Sequence, residues 1–252
     1  MTFDAVDREE LRQAMMILEN PSFAARLSHA VGSPLEKTLA LLPAPVSSSI
    51  HSASRQAITK ALDVAVVTLN DGYPAFISST RTHQVLSGLS GAVSGFFGAP
   101  ALVMELPVST VIMLRSIAAI AQQSGEDIQA LEARLACLEV FALGGRSAAD
   151  DGADTGYYAI RATLAHSMAE AIQYIAGRGV IDESAPALVR LIAQIGSRFG
   201  VTVSQKLTAQ ALPVLGALGG ASINLMFLQH FQRMAKSHFS VRGLERRYGR
   251  VL

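Results

Sequence analysis

Six histidines and one cysteine are the side chains of this 252-residue chain best suited to metal binding. The histidines form no H-E-x-x-H pattern and no Cys/His cluster with the spacing of a zinc site. His166 and Glu170 lie four residues apart and would share one face of a helix, but such a pair is usually an exposed helix contact. The sequence therefore predicts no bound metal. It also lacks a phosphate-binding glycine loop and a dinucleotide fingerprint, so it predicts no cofactor.

Nucleophilic catalysis has weak candidates. Cys137 adjoins the apolar stripe of its predicted helix, and an unpaired cysteine in that position usually behaves as a small hydrophobic residue. Ser90 lies in the tetrapeptide Gly-Leu-Ser-Gly, which lacks the G-x-S-x-G spacing of a hydrolase elbow and follows no predicted strand. A hydrolase or peptidase with an unrecognised site is kept as one alternative, and the sequence names no catalytic residue.

A second set of polar residues stands within or beside apolar helical sequence: Glu105, Arg115, Glu139, Asn224 and Arg233. A lone buried charge is costly, so residues of this kind are normally paired. We expect a structural network that ties the two halves of the chain together, for instance through an ion pair of Glu105 with Arg115 or Arg233. In the alternative, Glu105 would bind a proton or orient a ligand within an apolar pocket.

Positive charge is concentrated at the C-terminal end of a nearly neutral chain. Residues 1–183 contain 12 Lys/Arg and 19 Asp/Glu, a net charge of −7, whereas residues 184–252 contain nine Lys/Arg and one acid, a net charge of +8. Such a basic end suits an anionic membrane surface or an acidic partner, although a solvated helical face would carry the same charges. The residues expected to make this contact are Arg233, Lys236, Arg242, Arg246, Arg247 and Arg250. They are interleaved with aliphatic runs and match no nucleic-acid motif, so nucleic acid is not an expected partner.

The elements that must position these residues are helices. Half of the residues are hydrophobic, only 16% are charged, and the mean hydropathy is +0.33, while no stretch alternates as a β-strand would. Glycines at positions 88, 91, 95 and 98 share one helical face and would let another backbone approach closely, and a second glycine group follows at 216, 219 and 220. We therefore predict an all-α, compact multi-helix bundle with two central glycine-rich apolar helical hairpins.

Helix start and stop signals divide the chain into parts. Short helices separated by prolines predict an N-terminal collar over residues 1–45, and longer helices predict the main domain over residues 46–252. The polar stretch at 144–156, GGRSAADDGADTG, is the predicted linker between the two halves of that domain. Pro107 predicts a kink or a restart of its helix, with Glu105 placed to cap the freed amides.

The two halves also suggest an internal repeat. Gly98 precedes Arg115 by 17 residues, and Gly216 precedes Arg233 by the same 17. In both places a lead-in rich in glycine and proline feeds an apolar helix that ends at a basic residue.

Two apolar stretches, at 84–104 and 207–229, are long enough to cross a bilayer. Both contain several glycines and a proline, and polar residues such as Asn224 make insertion of the second marginal. We therefore expect buried hairpins with peripheral membrane contact in place of a span. The N-terminus opens with acidic residues and lacks the order of a signal peptide, and the single cysteine fits a reducing compartment. The expected location is the cytoplasm, at or near the inner face of the membrane.

Several segments, taken in order, resemble the EcsC family of bacterial proteins. They are GAVSGFFGAPALVMELPVSTVIMLRSIAAIA (91–121), CLEVFALGG (137–145), RFGVTVSQKLTAQALPVLGALGGASINLMFLQHF (198–231) and VRGLERRYG (241–249). The resemblance runs from about residue 80 to about residue 250 and leaves out the first 45 or so residues. It implies an all-helical protein associated in some bacteria with an Ecs-type ABC exporter, and it brings no established reaction. Some relatives carry a staphylolytic-protease label, which gains no support here because the sequence lacks a metalloprotease ligand motif.

The leading functional hypothesis is a non-catalytic accessory protein at the cytoplasmic face of the membrane. It would contact anionic lipid or an integral-membrane partner, such as an ABC exporter, through its basic C-terminal helices. The alternatives are a soluble protein that holds an apolar ligand or lipid between the two hairpins, and the hydrolase considered above.

Overall fold

The structure is a computed structural model of the chain, and it describes residues 4–19, 23–32, 44–67, 99–145, 156–178, 182, 184–210 and 216–249. These residues form eight α-helices and contain no β-strand, so the all-α prediction is confirmed. The helices are α1 (Ala5–Glu19), α2 (Phe23–Val31), α3 (Ala44–Val67), α4 (Ala99–Gln123), α5 (Leu131–Leu143), α6 (Tyr157–Arg178), α7 (Pro186–Gln210) and α8 (Gly216–Tyr248).

The helix α5 lies at the centre of the bundle. Every residue from position 133 to position 143 is buried, and α3, α4, α6, α7 and α8 all pack against this helix. The sequence predicted a single apolar stripe on α5, but Val140 and Phe141 on its other faces are covered as well. A helix whose residues are buried on every face needs neighbours on all sides, and these five helices provide them.

Aromatic side chains join four of the helices. Phe141 of α5 lies 5.1 Å from Phe199 of α7 and 5.2 Å from Phe231 of α8, measured between ring centroids. Phe23 of α2 reaches the same cluster through Phe227, at 5.7 Å. These rings are fully buried, and their tilted and edge-to-face contacts are of the favourable kind.

The N-terminal helices contribute to this core. Leu18 of α1 and Phe23 and Leu27 of α2 are buried in the same apolar cluster as the later helices. α1 packs on α8, and α2 packs on α7. The described part of residues 1–45 is therefore packed against the second half of the chain, although the sequence set this segment apart as a collar.

Helices α4 and α8 pack side by side in a parallel direction. Side-chain hydrogen bonds join Asn224 to Glu105, which are 119 positions apart, and Gln232 to Ser116, which are 116 apart. The repeat predicted from the glycine and arginine spacings implies an offset of 118 residues between the same two segments. The two bonded pairs are separated by nearly this offset, and the repeat itself stays a prediction.

The helix α4 continues through Pro107, so of the two expectations for this position the restart is corrected. Proline removes one backbone hydrogen bond, and the packing of α4 against α3, α5 and α8 compensates for that loss. Glu105 lies inside the helix, where its side chain bonds to α8. The expectation that Glu105 caps a downstream segment is therefore also corrected.

The turn after α4 ends the helix with a Schellman motif. Gly125 has a φ of +81°, its amide donates to the Gln122 carbonyl at 3.0 Å, and the Glu126 amide donates to the Ala121 carbonyl at 3.0 Å. Only glycine adopts this conformation without strain. The motif fixes the position of Glu126, whose carboxylate accepts hydrogen bonds from Arg242 and Arg246 near the end of α8.

Part of the sequence interpretation falls outside the described residues. This applies to positions 33–43 of the predicted collar, the glycines at 88–98, positions 146–155 of the predicted linker, and Arg250. The first two linker positions, Gly144 and Gly145, are described and are buried where α5 ends against α7 and α8.

Candidate functional site

The basic residues of the C-terminal region divide into two groups. Arg233 and Lys236 lie one turn apart on the outer side of α8, and both are exposed. Neither makes an ion pair with any acid in the part of the chain that the structure describes. Among the described residues predicted to contact a membrane or partner, these two face solvent and have no acidic partner within the described ranges.

Arg242 and Arg246 are held by Glu126 in the turn between α4 and α5. Arg242 donates to both carboxylate oxygens of Glu126, at 2.8 and 3.2 Å, and Arg246 donates to the same carboxylate and to the Ser124 carbonyl. Burial by itself would raise the pKa of Glu126, but the hydrogen bonds and charges of the two guanidiniums outweigh it and lower that pKa. These two arginines therefore fasten the end of α8 to the turn.

Arg247 and Tyr248 are held by Asp7 of α1. The Arg247 guanidinium and the Tyr248 hydroxyl each donate to an Asp7 carboxylate oxygen at 2.5 Å. The bond from Tyr248, and after it the bond from Arg247, lowers the pKa of Asp7. Three of the six predicted contact residues thus have acidic partners within the chain, which restricts the candidate contact surface to the outer side of α8 around Arg233 and Lys236.

Among the predicted buried polar residues, Glu105 and Asn224 are directly joined. The Asn224 amide donates to Glu105 Oε1 at 3.0 Å, which ties α4 to α8. Lys206 of α7 brings its Nζ to 3.9 Å from the same oxygen and 4.9 Å from the centre of the Phe227 ring. Burial lowers the pKa of Lys206, and the charge of Glu105 opposes that shift. Lys206 was not among the residues predicted from the sequence. The one feature that could have indicated it is a charged side chain within a largely apolar helix.

Arg115 and Arg233, the two arginines considered for this network, differ in exposure. Arg115 is partly exposed on α4, and its neighbour Ser116 accepts a hydrogen bond from Gln232 at 2.7 Å. Arg233 is exposed, so it lies outside the buried network in which the sequence had considered it.

Glu139 belongs to a separate buried cluster between α5, α6 and α8. Its Oε2 lies 3.7 Å from His238 Nε2, and His238 Nδ1 lies 2.9 Å from the Tyr157 hydroxyl. Arg161 donates to that hydroxyl at 3.3 Å and to both oxygens of Glu245 at 2.6 and 3.0 Å. Burial raises the pKa of Glu139 to about 7, although the charges of Arg161 and Arg242 oppose this shift. Sequence reasoning named Glu139 but could not bring the other members to it, because they lie on different helices.

The candidates for catalysis and metal binding lie apart from these clusters. Cys137 is fully buried, its thiol contacts the Ala133 carbonyl at 3.3 Å, and burial raises the pKa of the thiol. His166 is exposed and contacts Glu170 at 3.2 Å, while Arg190 donates to Glu170 at 2.6 Å. Within the described ranges, no three His, Cys, Asp or Glu side chains are grouped so that they could hold a metal ion.

A surface groove of about 850 Å³ follows the seam between α3 and α7. Most of its lining residues are of polar type, among them His51, Arg55, Gln56 and Lys60, but apolar atoms form the larger part of the lining surface. The apolar ligand kept as an alternative was expected between the two hairpins, so this groove is a different place on the protein. In the described helices, no segment combines the length and the apolar character that crossing a membrane requires.

Comparison with known proteins gives one match. No curated protein matches the chain, and no solved structure matches it either. A family model described as the EcsC protein family matches residues 7–244. This match covers nearly the whole chain and includes the N-terminal helices, which the sequence resemblance had left out. The chain therefore belongs to the EcsC protein family.

Proposed function

We propose that this chain is a non-catalytic accessory protein at the cytoplasmic face of a membrane, where it contacts anionic lipid or an integral-membrane partner of the ABC-exporter type. The observation that carries the proposal is the outer side of α8. Arg233 and Lys236 are exposed there, and the single acid of α8, Glu245, is bound to Arg161. The solvent-facing charge of this part of α8 is therefore positive.

Two cations near an anionic lipid surface contribute about 2 kcal/mol, which gives weak and reversible binding. Apolar side chains near the cations would strengthen it. Val108 of α4 is 58% exposed, and Met226 of α8 is partly exposed. The offset of about 118 between the paired helices sets these two residues at one level, about two turns before Arg233. A shallow apolar contact beside a cationic contact is typical of peripheral binding.

The hydrolase alternative finds less support in the geometry. Its clearest candidate nucleophile, Cys137, lies in the central helix and is held as a thiol by burial. The accessory role needs no buried nucleophile, only the exposed face of α8.

Cosedimentation with vesicles tests the proposal. The wild-type chain is expected to bind vesicles that contain phosphatidylserine and to release them in high salt, with little binding to phosphatidylcholine alone. The double variant Arg233→Glu/Lys236→Glu should lower the partition coefficient at least tenfold, because it replaces two attractive charges by two repulsive ones.

The matched control is Lys60→Glu/Arg178→Glu, which makes the same charge change at exposed positions on α3 and α6. It should retain most of the binding. Equal losses in both double variants would show general electrostatics and contradict the assignment to α8. Membrane fractionation of cells gives the second readout, in which salt release supports electrostatic docking. Resistance to carbonate or a purely soluble pool would overturn the proposal.

A further inference from the structure

Three buried polar side chains meet where α5, α6 and α8 pack together. Glu139 of α5 is 6% exposed, Tyr157 of α6 is 1% exposed, and His238 of α8 is 0% exposed. Polar groups of this kind are normally satisfied by hydrogen bonds when they are buried. The contacts within this cluster indicate which groups donate hydrogen bonds and which accept them.

The hydrogen bonds assign the protonation of His238. Arg161 can only donate, so the Tyr157 oxygen accepts its bond. The single hydroxyl proton of Tyr157 is then free to be donated to His238 Nδ1, at 2.9 Å. A neutral imidazole that accepts at Nδ1 carries its proton on Nε2. Nε2 has no hydrogen-bond partner among the described residues, and it faces Glu139 Oε2 at 3.7 Å.

The charges that face Glu139 from the surrounding helices are already paired with other groups. They are Arg161 of α6 and Arg242 and Glu245 of α8. Arg161 is bound in a two-point ion pair to Glu245, and Arg242 is bound in the same way to Glu126. An ionised Glu139 would therefore be a buried anion without a cation of its own, and a proton is the ligand that removes this cost.

We propose that Glu139 and His238 form an internal proton-binding site, in which the Glu139 carboxylate takes up one proton as the pH falls and thereby tightens the packing of the end of α8. When Glu139 loses this proton, its charge competes with Glu245 and Glu126 for Arg161 and Arg242. Those two arginines hold the end of α8 to α6 and to the turn after α4. Deprotonation therefore loosens both fastenings. This inference is independent of whether the protein binds a membrane.

The sign of the stability change follows from the burial of the carboxyl. The folded chain holds the Glu139 proton up to a pKa of about 7, whereas an unfolded chain releases it near the ordinary value of 4.5. The stability that this proton contributes to the folded state is therefore fully present below pH 4.5 and is lost as the pH rises toward 7. Burial lowers the pKa of His238. The neutral His238 therefore contributes stability that is lost as the pH falls below 6.5, which is the opposite direction to Glu139.

Denaturant unfolding at a series of pH values tests the site by comparing the full-length wild type with Glu139→Gln, which mimics the protonated carboxyl. The ratio of the wild-type unfolding constant to that of Glu139→Gln should rise roughly fifty-fold between pH 5 and pH 8. The control Glu132→Gln is on the same helix, but its side chain is 70% exposed, so its ratio should stay nearly constant.

Two direct measurements on the wild type complete the test, even if Glu139→Gln fails to fold. Carbon-13 NMR of the carboxyl groups should show one glutamate with a midpoint near pH 7, assigned by its loss in a variant or by residue-specific labelling. Amide hydrogen exchange at residues 241–248, corrected for its intrinsic pH dependence, should be faster at pH 8 than at pH 6. A Glu139 midpoint below pH 5.5, or exchange at this end of α8 that does not change with pH, would overturn the proposal.

Discussion

At the scale of single residues, the buried charges of this protein differ in how they are compensated. Lys206 and Glu105 form a loose buried pair, with 3.9 Å between Nζ and Oε1, and Asn224 and the Phe227 ring share the compensation. Lys206 is 2% exposed, so its ammonium group has lost most of its hydration. Removal of either partner leaves the other charge buried, which costs more than the pair gains.

A double-mutant cycle on this pair gives a prediction. Lys206→Met should destabilise the protein by about 2–4 kcal/mol, because Met keeps the volume but removes the buried cation that lies 3.9 Å from Glu105. Adding Glu105→Gln to Lys206→Met should cost less than the separate effects imply, by about 1–3 kcal/mol, because the buried anion is then gone. Denaturant unfolding measures all four proteins.

Lys60 supplies the matched control for this cycle. Its Nζ lies the same 3.9 Å from Asp63, but its side chain is 62% exposed. Lys60→Met should therefore leave the midpoint of unfolding unchanged. Strict additivity at Lys206 and Glu105 would show that the two side chains do not interact.

At the scale of elements, the end of α5 shows how close two backbones come in this bundle. A Cβ atom added to Gly145 would lie 2.1 Å from the Arg198 carbonyl oxygen of α7, and one added to Gly144 would lie 2.7 Å from His230 Nε2. These two glycines let the central helix end against α7 and α8. The sequence predicted close helix approach at other glycines. The structure shows it at Gly144 and Gly145, which the sequence placed at the start of a linker.

Two glycines of the bundle are expected to respond in opposite ways to replacement by alanine. Gly145→Ala should destabilise the protein by about 3 kcal/mol, because its Cβ meets backbone atoms that cannot move without displacing α7. Gly177→Ala, in the last turn of α6, has nothing within 4 Å of the added Cβ and should stabilise by about 0.5 kcal/mol. Thermal and denaturant unfolding distinguish the two. Similar effects of both substitutions would contradict the close approach of α5 to α7.

At the scale of the whole molecule, folding pairs the acidic early part of the chain with its basic end. Asp7 binds Arg247 across 240 positions, and Glu126 binds Arg242 across 116. The charge asymmetry of the sequence is thus partly neutralised inside the protein. On the outer face of α8, Arg233 and Lys236 have no acidic partner among the described residues. Their surface is the one that we propose for membrane or partner contact.

The first two helices are expected to be part of one cooperative unit with the rest of the chain. Deletion of residues 1–43 removes Leu18, Phe23 and Leu27 from the core, at a cost of about 5–9 kcal/mol, which is comparable to the whole stability of a typical domain. The fragment 44–252 should therefore lose its cooperative thermal transition in circular dichroism. A separately supplied 1–43 peptide should restore part of it. A fragment that unfolds at the temperature of the full chain would support an independent N-terminal collar.

The sequence by itself determined the helical class, the basic C-terminal end and the residues that interrupt apolar runs. These features depend on local periodicity and composition, which a helix expresses within a few turns of chain. The cost of burying a charge also showed that Glu105, Glu139 and Asn224 need partners. For the same reason, Cys137 could be placed beside an apolar stripe without coordinates.

Only the tertiary structure decided which charges are paired and which helix lies at the centre. No local pattern indicates that Arg247 meets Asp7, that Lys206 lies beside Glu105, or that His238 lies between Glu139 and the Tyr157 hydroxyl. The burial of α5 on every face likewise depends on five helices distributed along the chain. An ion pair needs its atoms within about 4 Å, and that separation is fixed by long-range helix packing, which the local sequence leaves undetermined.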